Sequence, residues 1–346
     1  MNESNEWSRQ GRRKSKKKKK GKVVFVLILL FAIITVAGTY FASKINNTIS
    51  SITQSVGNRT EEEANEIINN ARPINILLLG IDNGAYGRTE EDGRSDTMLL
   101  LTVNPTTKKS QLLSIPRDTY TEIVGTGSYD KLNHAYAYGK AHMVINSVEK
   151  LLDTTIDFYV QINMEGLIEF VDAVGGIEVT SPLTFTYENR TFVEGKTEVL
   201  DGTSALKFAR MRYDDPDGDY GRQKRQRIVI EKLVEKLMRL SSVTNFEQIM
   251  NAVSKNVKTD IPLGQVMAFK NTYGPAVTND NLTQAFMDER QLLLTNNDGQ
   301  SVYYSYATDE VLIKTTNAIR TILEEKNVKT YPLLEEREDL YYLTTP

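Results

Sequence analysis

The longest apolar stretch of the chain lies near its N-terminus. Residues 23–42, VVFVLILLFAIITVAGTYFA, contain no charged side chain, and a helix of this length spans the roughly 30 Å of a bilayer's hydrocarbon core. The basic run RRKSKKKKKGK directly precedes it. Because basic flanks stay on the cytoplasmic side, the pattern predicts a basic cytoplasmic tail over residues 1–22, a single transmembrane helix over 23–42 and an extracellular remainder. A cleaved signal peptide is the alternative, and the length of the apolar run disfavours it.

The character of the chain changes at Pro73. Residues 43–72 are rich in Asn, Ser, Thr and Glu and have little apolar face, which predicts a polar stalk. From Pro73 onward, apolar runs with strand and helix periods alternate without an internal repeat or a long linker. Residues 73–346 are therefore expected to form one extracellular domain.

Within this domain, short continuous apolar runs indicate strands that are buried on both faces of a sheet. INILLLGID, residues 74–82, predicts one such strand, and TMLLLTVNPTTKKSQLLSI predicts two strands joined by an Asn-Pro turn. Helical spacing over residues 133–153, 164–174 and 219–240 separates further short strands. The interleaving predicts an α/β fold, with a mixed sheet flanked by helices.

Composition removes several classes of chemistry. The 346 residues include no cysteine and two histidines, which excludes disulfides, thiol nucleophiles and Cys/His zinc sites. Neither GxxxxGK[ST] nor GxGxxG occurs, so neither common nucleotide-binding motif is available. Residues 1–22 hold ten Lys or Arg and two Glu, although the whole chain has a net charge of −3. The large C-terminal part is therefore acidic, which argues against a nucleic-acid-binding domain.

Residues 209–230, ARMRYDDPDGDYGRQKRQRIVI, concentrate arginine and aspartate. The apolar positions at and after the end of this stretch share one face of a helix; they are Val229, Ile230, Leu233, Val234 and Leu237. Gln226 and Arg222 lie four and eight residues before Ile230, so they are on the same stripe. Asp219 or a neighbour is expected to cap the helix. An inward guanidinium needs an anion, so Arg222 indicates either a bound anionic ligand or an ion pair with an aspartate of the DDPD segment.

Further charged residues lie at the ends of predicted elements. They are Asp82 in LLLGID, Arg94 and Asp96 in GRSDTM, Arg117 and Asp118 in SIPRD, and Arg210 and Arg212 in RMR. Charges at strand ends converge on one edge of a sheet, where α/β proteins usually bind ligands. Arginine forks suit phosphate oxygens, and carboxylates among them suit Mg²⁺ that also binds phosphate. A pyrophosphate with Mg²⁺ is the simplest ligand that satisfies both groups of side chains.

Five motifs together carry a family resemblance. LLLGID, GRSDTM, SIPRD, KLNHAYAYG and RMRYDDPDGDYGRQKRQ resemble, in this order, the LytR-CpsA-Psr family of bacterial cell-envelope enzymes, and most closely its LytR/TagU-like branch. The resemblance extends from about residue 73 to residue 325. It implies a phosphotransferase that moves a glycopolymer, such as teichoic acid, from polyprenyl pyrophosphate to the C6 hydroxyl of muramic acid. It also implies Mg²⁺, or Mn²⁺ in its place, as cofactor. The implied partners are the lipid-linked glycopolymer, peptidoglycan and the lipids of the cytoplasmic membrane, with no nucleic acid.

The motifs also imply roles for single residues. Asp82 and Asp96 match metal ligands and, with Arg94 and Arg117, form the implied catalytic set. The implied pyrophosphate-binding residues are Arg94, Arg117, Lys131, Arg210, Arg212, Arg222 and Gln226, and the implied polar supports are Asp118 and Asp219. Either Asp82 or Asp118 is a candidate base, while a packed or surface role is favoured for His134.

A polyprenyl tail requires an apolar tunnel. Residues 143–152, 164–174 and 228–238 are candidates for its wall, although an apolar helix stripe is more often plain core. Two other functions remain open. A polyprenyl-pyrophosphate pyrophosphatase would use the same site with water as acceptor. A non-enzymatic envelope regulator would bind an anion there without catalysing a reaction.

Overall fold

The computed structural model describes residues 60–82, 93–238, 249, 255–278, 280–295 and 299–330. The predicted cytoplasmic tail, the predicted transmembrane helix and most of the predicted stalk lie outside these residues. Within the described part of the chain, no helix is long and apolar enough to cross a membrane.

The described residues form fourteen strands and seven α-helices. The strands are β1 (Ile74–Asp82), β2 (Arg94–Asn104), β3 (Lys109–Ile115), β4 (Tyr120–Ile123), β5 (Ser128–Lys131), β6 (Phe158–Asn163), β7 (Ile177–Thr180), β8 (Phe185–Tyr187), β9 (Arg190–Phe192), β10 (Thr197–Leu200), β11 (Val257–Thr259), β12 (Leu282–Phe286), β13 (Arg290–Thr295) and β14 (Ser301–Tyr306). The helices are α1 (Glu61–Asn69), α2 (His134–Leu152), α3 (Met164–Ala173), α4 (Gly202–Arg210), α5 (Gly218–Met238), α6 (Val266–Tyr273) and α7 (Asp309–Leu323).

A six-stranded sheet in the order β11-β6-β1-β2-β3-β12 organises the domain. β2 pairs antiparallel with β1 and β3, whereas β6 runs parallel to β1 and β12 runs parallel to β3. On β1, Leu77 and Leu79 pack into the core against α2 and α7, while Leu78 and Gly80 line a pocket with α3 and α5. The continuous apolar run is thus buried on both faces, and the predicted mixed sheet flanked by helices is confirmed.

Helix α1 differs from the predicted polar stalk. Thr60 caps it, since its Oγ1 accepts a hydrogen bond from the Glu63 N–H at 3.2 Å, and Glu63 Oε2 accepts one from the Thr60 N–H at 2.7 Å. Ala64, Ile67 and Ile68 lie on one face and are buried in the core. Three apolar residues at helical spacing are enough to attach a short helix, so the folded domain extends N-terminal to its predicted boundary.

A β-bulge interrupts the pairing of β1 with β2. Gly80 is paired with Thr97 and Ile81 with Ser95, which leaves Asp96 as the extra residue on β2. A Cβ at Gly80 would lie 2.9 Å from the Thr97 Cβ, so glycine permits the close approach of the two strands here. Because a bulge redirects the side chain of the extra residue, it determines where the Asp96 carboxylate points.

An arginine that is completely buried joins α4 to α5. Arg225 Nε donates a hydrogen bond to the Phe208 carbonyl at 3.0 Å, and its two terminal nitrogens donate to the Met211 carbonyl and the Asp215 carboxylate. A cation beside these carbonyls also interacts favourably with the C-terminal end of the α4 dipole. A Cβ at Gly221 would collide with the Asp215 carboxylate, so glycine makes room for the pair. The first turns of α5 are thereby fixed against the end of α4.

A second buried polar contact holds the segment after β3. The Thr119 hydroxyl lies 2.6 Å from both the Pro116 carbonyl oxygen and Glu289 Oε1. The Thr119 hydroxyl is the donor toward both acceptors, the Pro116 carbonyl and Glu289 Oε1. Burial, the dominant cause, raises the pKa of Glu289 to about 8, while hydrogen bonds with Thr119 and Ser305 oppose the rise.

Replacing Arg225 by methionine should destabilise the domain strongly. The substitution strands the Asp215 carboxylate in the interior, which typically costs about 3–5 kcal/mol. Lys224→Met, an exposed substitution on the same helix, is the matched control and should change stability by less than about 0.5 kcal/mol. Chemical denaturation of both variants measures the difference. Equal stability of the two variants would show that the buried pair does not fasten the helices.

Glu289 should make stability depend on pH. Between about 4.5, the ordinary pKa of a glutamate, and about 8, the unfolded carboxyl group is ionised while the folded one keeps its proton. The folded state then binds more protons, so stability should fall across this window, by on the order of a few kcal/mol, and then level off. Glu289→Gln should flatten the profile of unfolding free energy against pH, whereas Glu310→Gln at an exposed position should not. An unchanged slope in Glu289→Gln would exclude Glu289 as its source.

Candidate functional site

Five polar side chains form a continuous cluster at one edge of the central sheet. Arg117 Nη1 lies 2.8 Å from Asp96 Oδ2 and Arg117 Nε lies 3.5 Å from Asp118 Oδ2. Lys131 Nζ lies 2.9 Å from Asp118 Oδ1, and Asn133 Nδ2 donates to Asp96 Oδ1 at 3.3 Å. The four charged side chains are each 17–19% exposed, so a ligand can reach them. These five residues are called the charged cluster below.

Local backbone contacts explain how distant sequence positions meet in the charged cluster. The β4–β5 hairpin turns the chain back toward the end of β3. The Leu132 N–H then donates to the Thr119 carbonyl at 2.9 Å, and the Asn133 N–H donates to the Arg117 carbonyl at 3.1 Å. Lys131 and Asn133 therefore lie beside the residues that follow β3. The structure thus brings Asp96, Arg117 and Lys131 together.

Asp82 and Arg94 lie at the same edge. They are the last residue of β1 and the first residue of β2 and are paired across the two strands. Arg94 is exposed and Asp82 is half-buried. The connection between them, residues 83–92, lies outside the described residues.

Asp82 and Asp96 offer two carboxylates on adjacent strands. Mg²⁺ commonly binds through one or two carboxylates together with phosphate oxygens and water, and this donor set fits that mode. Within the described ranges, no group of three or more His, Cys, Asp or Glu that could hold a metal is found.

An apolar pocket of about 180 Å³ lies between the sheet and helices α3 and α5. Its wall is mainly aliphatic and includes Leu78, Leu99, Leu167, Phe170, Val229, Ile230, Leu233, Val234 and Leu237. The polar residues in its lining are Thr97, Asn163, Arg210 and Gln226. Thr97 directly follows Asp96 in the chain, so the apolar pocket reaches the edge that carries the charged cluster.

Two of the three predicted wall segments line this pocket. Residues 164–174 and 228–238 contribute α3 and α5 to its wall. Residues 143–152 do not line this pocket, because Val144 and Val148 of α2 pack in the core on the opposite face of the sheet. An apolar stripe shows that a helix is buried, but it does not show against which face.

The α5 side chains separate the two interpretations of the arginine-rich stretch. Gln226 lines the apolar pocket, and Arg222, which is half-buried, lies one helical turn before it on the same side. Arg225 forms the internal pair, and its partner is Asp215. The internal pair with an aspartate of the DDPD segment is thus formed by Arg225.

The remaining predicted residues lie around the end of α4 and the start of α5. Arg210 lines the apolar pocket, and Arg212 is exposed just after α4. Helix α5 begins at Gly218, so Asp219 lies within the first turn and the position before the helix is that of its neighbour Asp217. The side chain of Asp219 lies outside the described part of the structure.

Sequence reasoning missed Asn133 and Arg227, and it missed the partner of His134. Asn133 belongs to the KLNHAY motif, yet its bond to Asp96 requires the hairpin to be folded. Arg227 is buried with its guanidinium 3.6 Å from the Phe286 ring centroid, and this burial lowers its pKa to about 10. His134 Nδ1 lies 2.7 Å from Asp130 Oδ2. Burial opposes ionisation of Asp130, but hydrogen bonds from His134 and the Lys131 N–H outweigh it and lower the pKa.

Comparison with known proteins identifies relatives along most of the chain. One is named polyisoprenyl-teichoic acid–peptidoglycan teichoic acid transferase TagU, from Enterococcus faecalis, and is 42% identical over 268 residues, covering 76% of this chain and 87% of the relative. A protein of the same name from Bacillus cereus is 38% identical over 307 residues, covering 87% of this chain and 97% of the relative.

Solved structures of similarly named proteins also resemble this chain. The crystal structure of B. subtilis TagU matches with a TM-score of 0.59 at 35% identity, covering 75% of this chain and all of that one. A structure described as TagT bound to LIIa-WTA matches with a TM-score of 0.59 at 27% identity, covering 73% and 91%. The model of the LytR_cpsA_psr family matches residues 39–320, and this chain belongs to that family.

Proposed function

We propose that this protein is a membrane-anchored phosphotransferase that transfers a teichoic acid-like glycopolymer from polyprenyl pyrophosphate to peptidoglycan. The acceptor is the C6 hydroxyl of muramic acid. The N-terminus lies in the cytoplasm and the catalytic domain lies outside. The observation that carries the proposal is an apolar pocket that has Arg210 and Gln226 in its lining and reaches Thr97, the residue after Asp96 of the charged cluster.

The apolar pocket suits the polyprenyl tail of the donor. Its wall is formed by aliphatic side chains of β1, α3 and α5, and burial of an isoprenoid chain gains about 25 cal/mol for each Å² removed from water. Arg210 and Gln226 can donate hydrogen bonds to a pyrophosphate at the polar side of the pocket. A ligand that is apolar at one end and doubly anionic at the other therefore matches a pocket with an aliphatic wall and polar residues at one side.

The charged cluster suits the reacting phosphates. Arg117 is held by Asp96 and Asp118, so its guanidinium is oriented before a ligand binds. Phosphoryl transfer depends mainly on positioning and on neutralising charge, and a preorganised cation provides both. Asp82 and Asp96 would hold Mg²⁺, or Mn²⁺ in its place, which when bound neutralises charge on the pyrophosphate.

A pyrophosphatase would use the same residues with water as acceptor. Product analysis separates the two functions, because transfer leaves a phosphodiester on the glycan strand whereas hydrolysis releases a free glycan phosphate. The proposal requires the phosphodiester as the main product when donor and peptidoglycan are both supplied.

Arg222→Ala should impair transfer and leave the fold intact. Arg222 lies on the pocket side of α5, and removing one preorganised donor typically slows a reaction by roughly 10²-fold. Arg222→Lys keeps the charge but loses the planar fork, so it should also slow transfer. Denaturation and a transfer assay with product analysis should be run beside Arg225→Met. If Arg222→Ala instead loses about as much stability as Arg225→Met with normal turnover in the folded fraction, Arg222 is structural.

Ile230→Trp should reduce binding of the donor's lipid. Ile230 is half-buried in the pocket wall, so an indole there fills space that the polyprenyl chain would occupy, at a cost to stability of about 1–3 kcal/mol. Lipid extraction and mass spectrometry of the purified protein measure the lipid retained. Val199→Trp, at a position 66% exposed and outside the pocket, should retain it. Full retention in Ile230→Trp would place the lipid elsewhere.

A further inference from the structure

Five tyrosines gather on two hairpins and one helix beside the charged cluster. Tyr120 stacks on Tyr129 at 5.6 Å between ring centroids and meets Tyr304 edge-on at 5.1 Å. Tyr303 lies on β14 and Tyr138 on α2, and these two are 42% and 59% exposed. These five residues are called the tyrosine face. None of them has a role in the pocket or the charged cluster.

The tyrosine face has a rigid base. Residues Thr119 and Ser305 form a β-bridge that joins the start of β4 to β14, and the Ser305 N–H donates to the Asp118 carbonyl at 2.9 Å. Leu292 and Tyr306 are buried beneath the rings. Large rings that are fixed in advance lose little conformational entropy when they bind a ligand.

Lys131 connects the tyrosine face to the charged cluster. Its Nζ lies 5.5 Å from the Tyr304 ring centroid and 5.9 Å from that of Tyr303, while the same atom lies 2.9 Å from Asp118 Oδ1. A ligand on the tyrosine face would therefore border the residues proposed to act on the pyrophosphate.

The tyrosine face and the apolar pocket lie on different sides of the sheet. Tyr138 belongs to α2, and the Val124 N–H, just after β4, donates to Ser147 Oγ of α2 at 3.1 Å. Helix α2 packs on the face opposite to α3 and α5. A second substrate can thus approach the charged cluster without crossing the lipid-binding wall.

The chemistry of the tyrosine face fits an uncharged saccharide. Pyranose rings present C–H groups that pack on aromatic faces, and tyrosine adds a hydroxyl at the wet end of each ring. Asp130 lies among these rings, since its Oδ2 accepts from the Tyr138 hydroxyl at 3.4 Å and can accept from sugar hydroxyl or acetamido groups. Its negative charge disfavours an anionic polymer or an anionic membrane surface, both of which require basic residues.

We propose that the tyrosine face is the acceptor subsite, where the N-acetylated amino-sugar strand of peptidoglycan lies against the exposed rings of Tyr303 and Tyr138 beside Lys131. This inference rests on the proposed function for the identity of the acceptor. The contact geometry supports it independently, because a surface of tyrosine rings borders the charged cluster on the side away from the pocket.

Equilibrium binding to the full-length chain in detergent tests the inference without turnover. The probe is a soluble, uncharged oligosaccharide of N-acetylglucosamine, which has the acetamido group and pyranose rings of the glycan strand. Tyr303→Ala removes a stacking ring and should raise the half-saturation concentration roughly 10-fold, whereas Tyr303→Phe keeps the ring and should stay within about twofold. Tyr213→Ala, at a position 92% exposed and outside the tyrosine face, is the matched control. Tyr138→Ala is a second variant that should also weaken binding, in case Tyr303→Ala folds poorly.

The outcomes separate this inference from the proposed function. Glycan binding that depends on Tyr303 and Tyr138 supports a saccharide site on the tyrosine face, and if the wild type shows no transfer it counts against the transferase alone. Normal transfer with glycan affinity unchanged in both variants overturns the acceptor subsite and leaves the transferase standing. If the two variants lose binding to anionic lipid vesicles and keep their binding to the oligosaccharide, the tyrosine face is a membrane contact and the inference is also overturned.

Discussion

The buried pair of Arg225 with Asp215 fixes the geometry on which the rest of the candidate site depends. Arg225 donates hydrogen bonds to the carbonyls at the end of α4 and to the Asp215 carboxylate, so the end of one helix and the first turns of the next cannot move independently. Arg210 lies on the first helix and Gln226 on the second, and both line the same pocket. A buried charge pair is weak evidence for net stability, but here it fixes the relative position of two helices.

The edge of the central sheet separates an apolar surface from an aromatic one. On one side, α3 and α5 enclose an apolar pocket, and on the other, the β4–β5 and β13–β14 hairpins carry aromatic rings. The cluster of Asp96, Arg117, Asp118 and Lys131 lies at the edge where these surfaces meet. Loops at such an edge can present side chains to both sides at once, which is where α/β proteins commonly bind their ligands.

Local patterns predicted the elements well, because apolar period and turn residues act over short distances. The run that forms β1 and the α5 stripe that includes Gln226 were both predictable from spacing alone. Which arginine is paired internally was not, since Arg222 and Arg225 lie three residues apart and only the fold of the preceding loop decides which one meets Asp215. The role of Asn133 likewise depends on a hairpin that returns the chain to β3. The packing of α1 onto the domain was also not predicted, because only three buried apolar residues mark its inner face.

The β-bulge at Asp96 has a consequence for how the site can vary between homologous chains. Because Gly80 pairs with Thr97 and Ile81 with Ser95, Asp96 exists as an additional residue in an otherwise regular ladder. Deleting one residue there would close the ladder without disturbing the hydrophobic register on either side. The fold would survive such a shortening, but the edge would lose the carboxylate that orients Arg117. The site is thus encoded partly by the number of residues in β2, and a change in strand length could abolish activity where no core residue has changed.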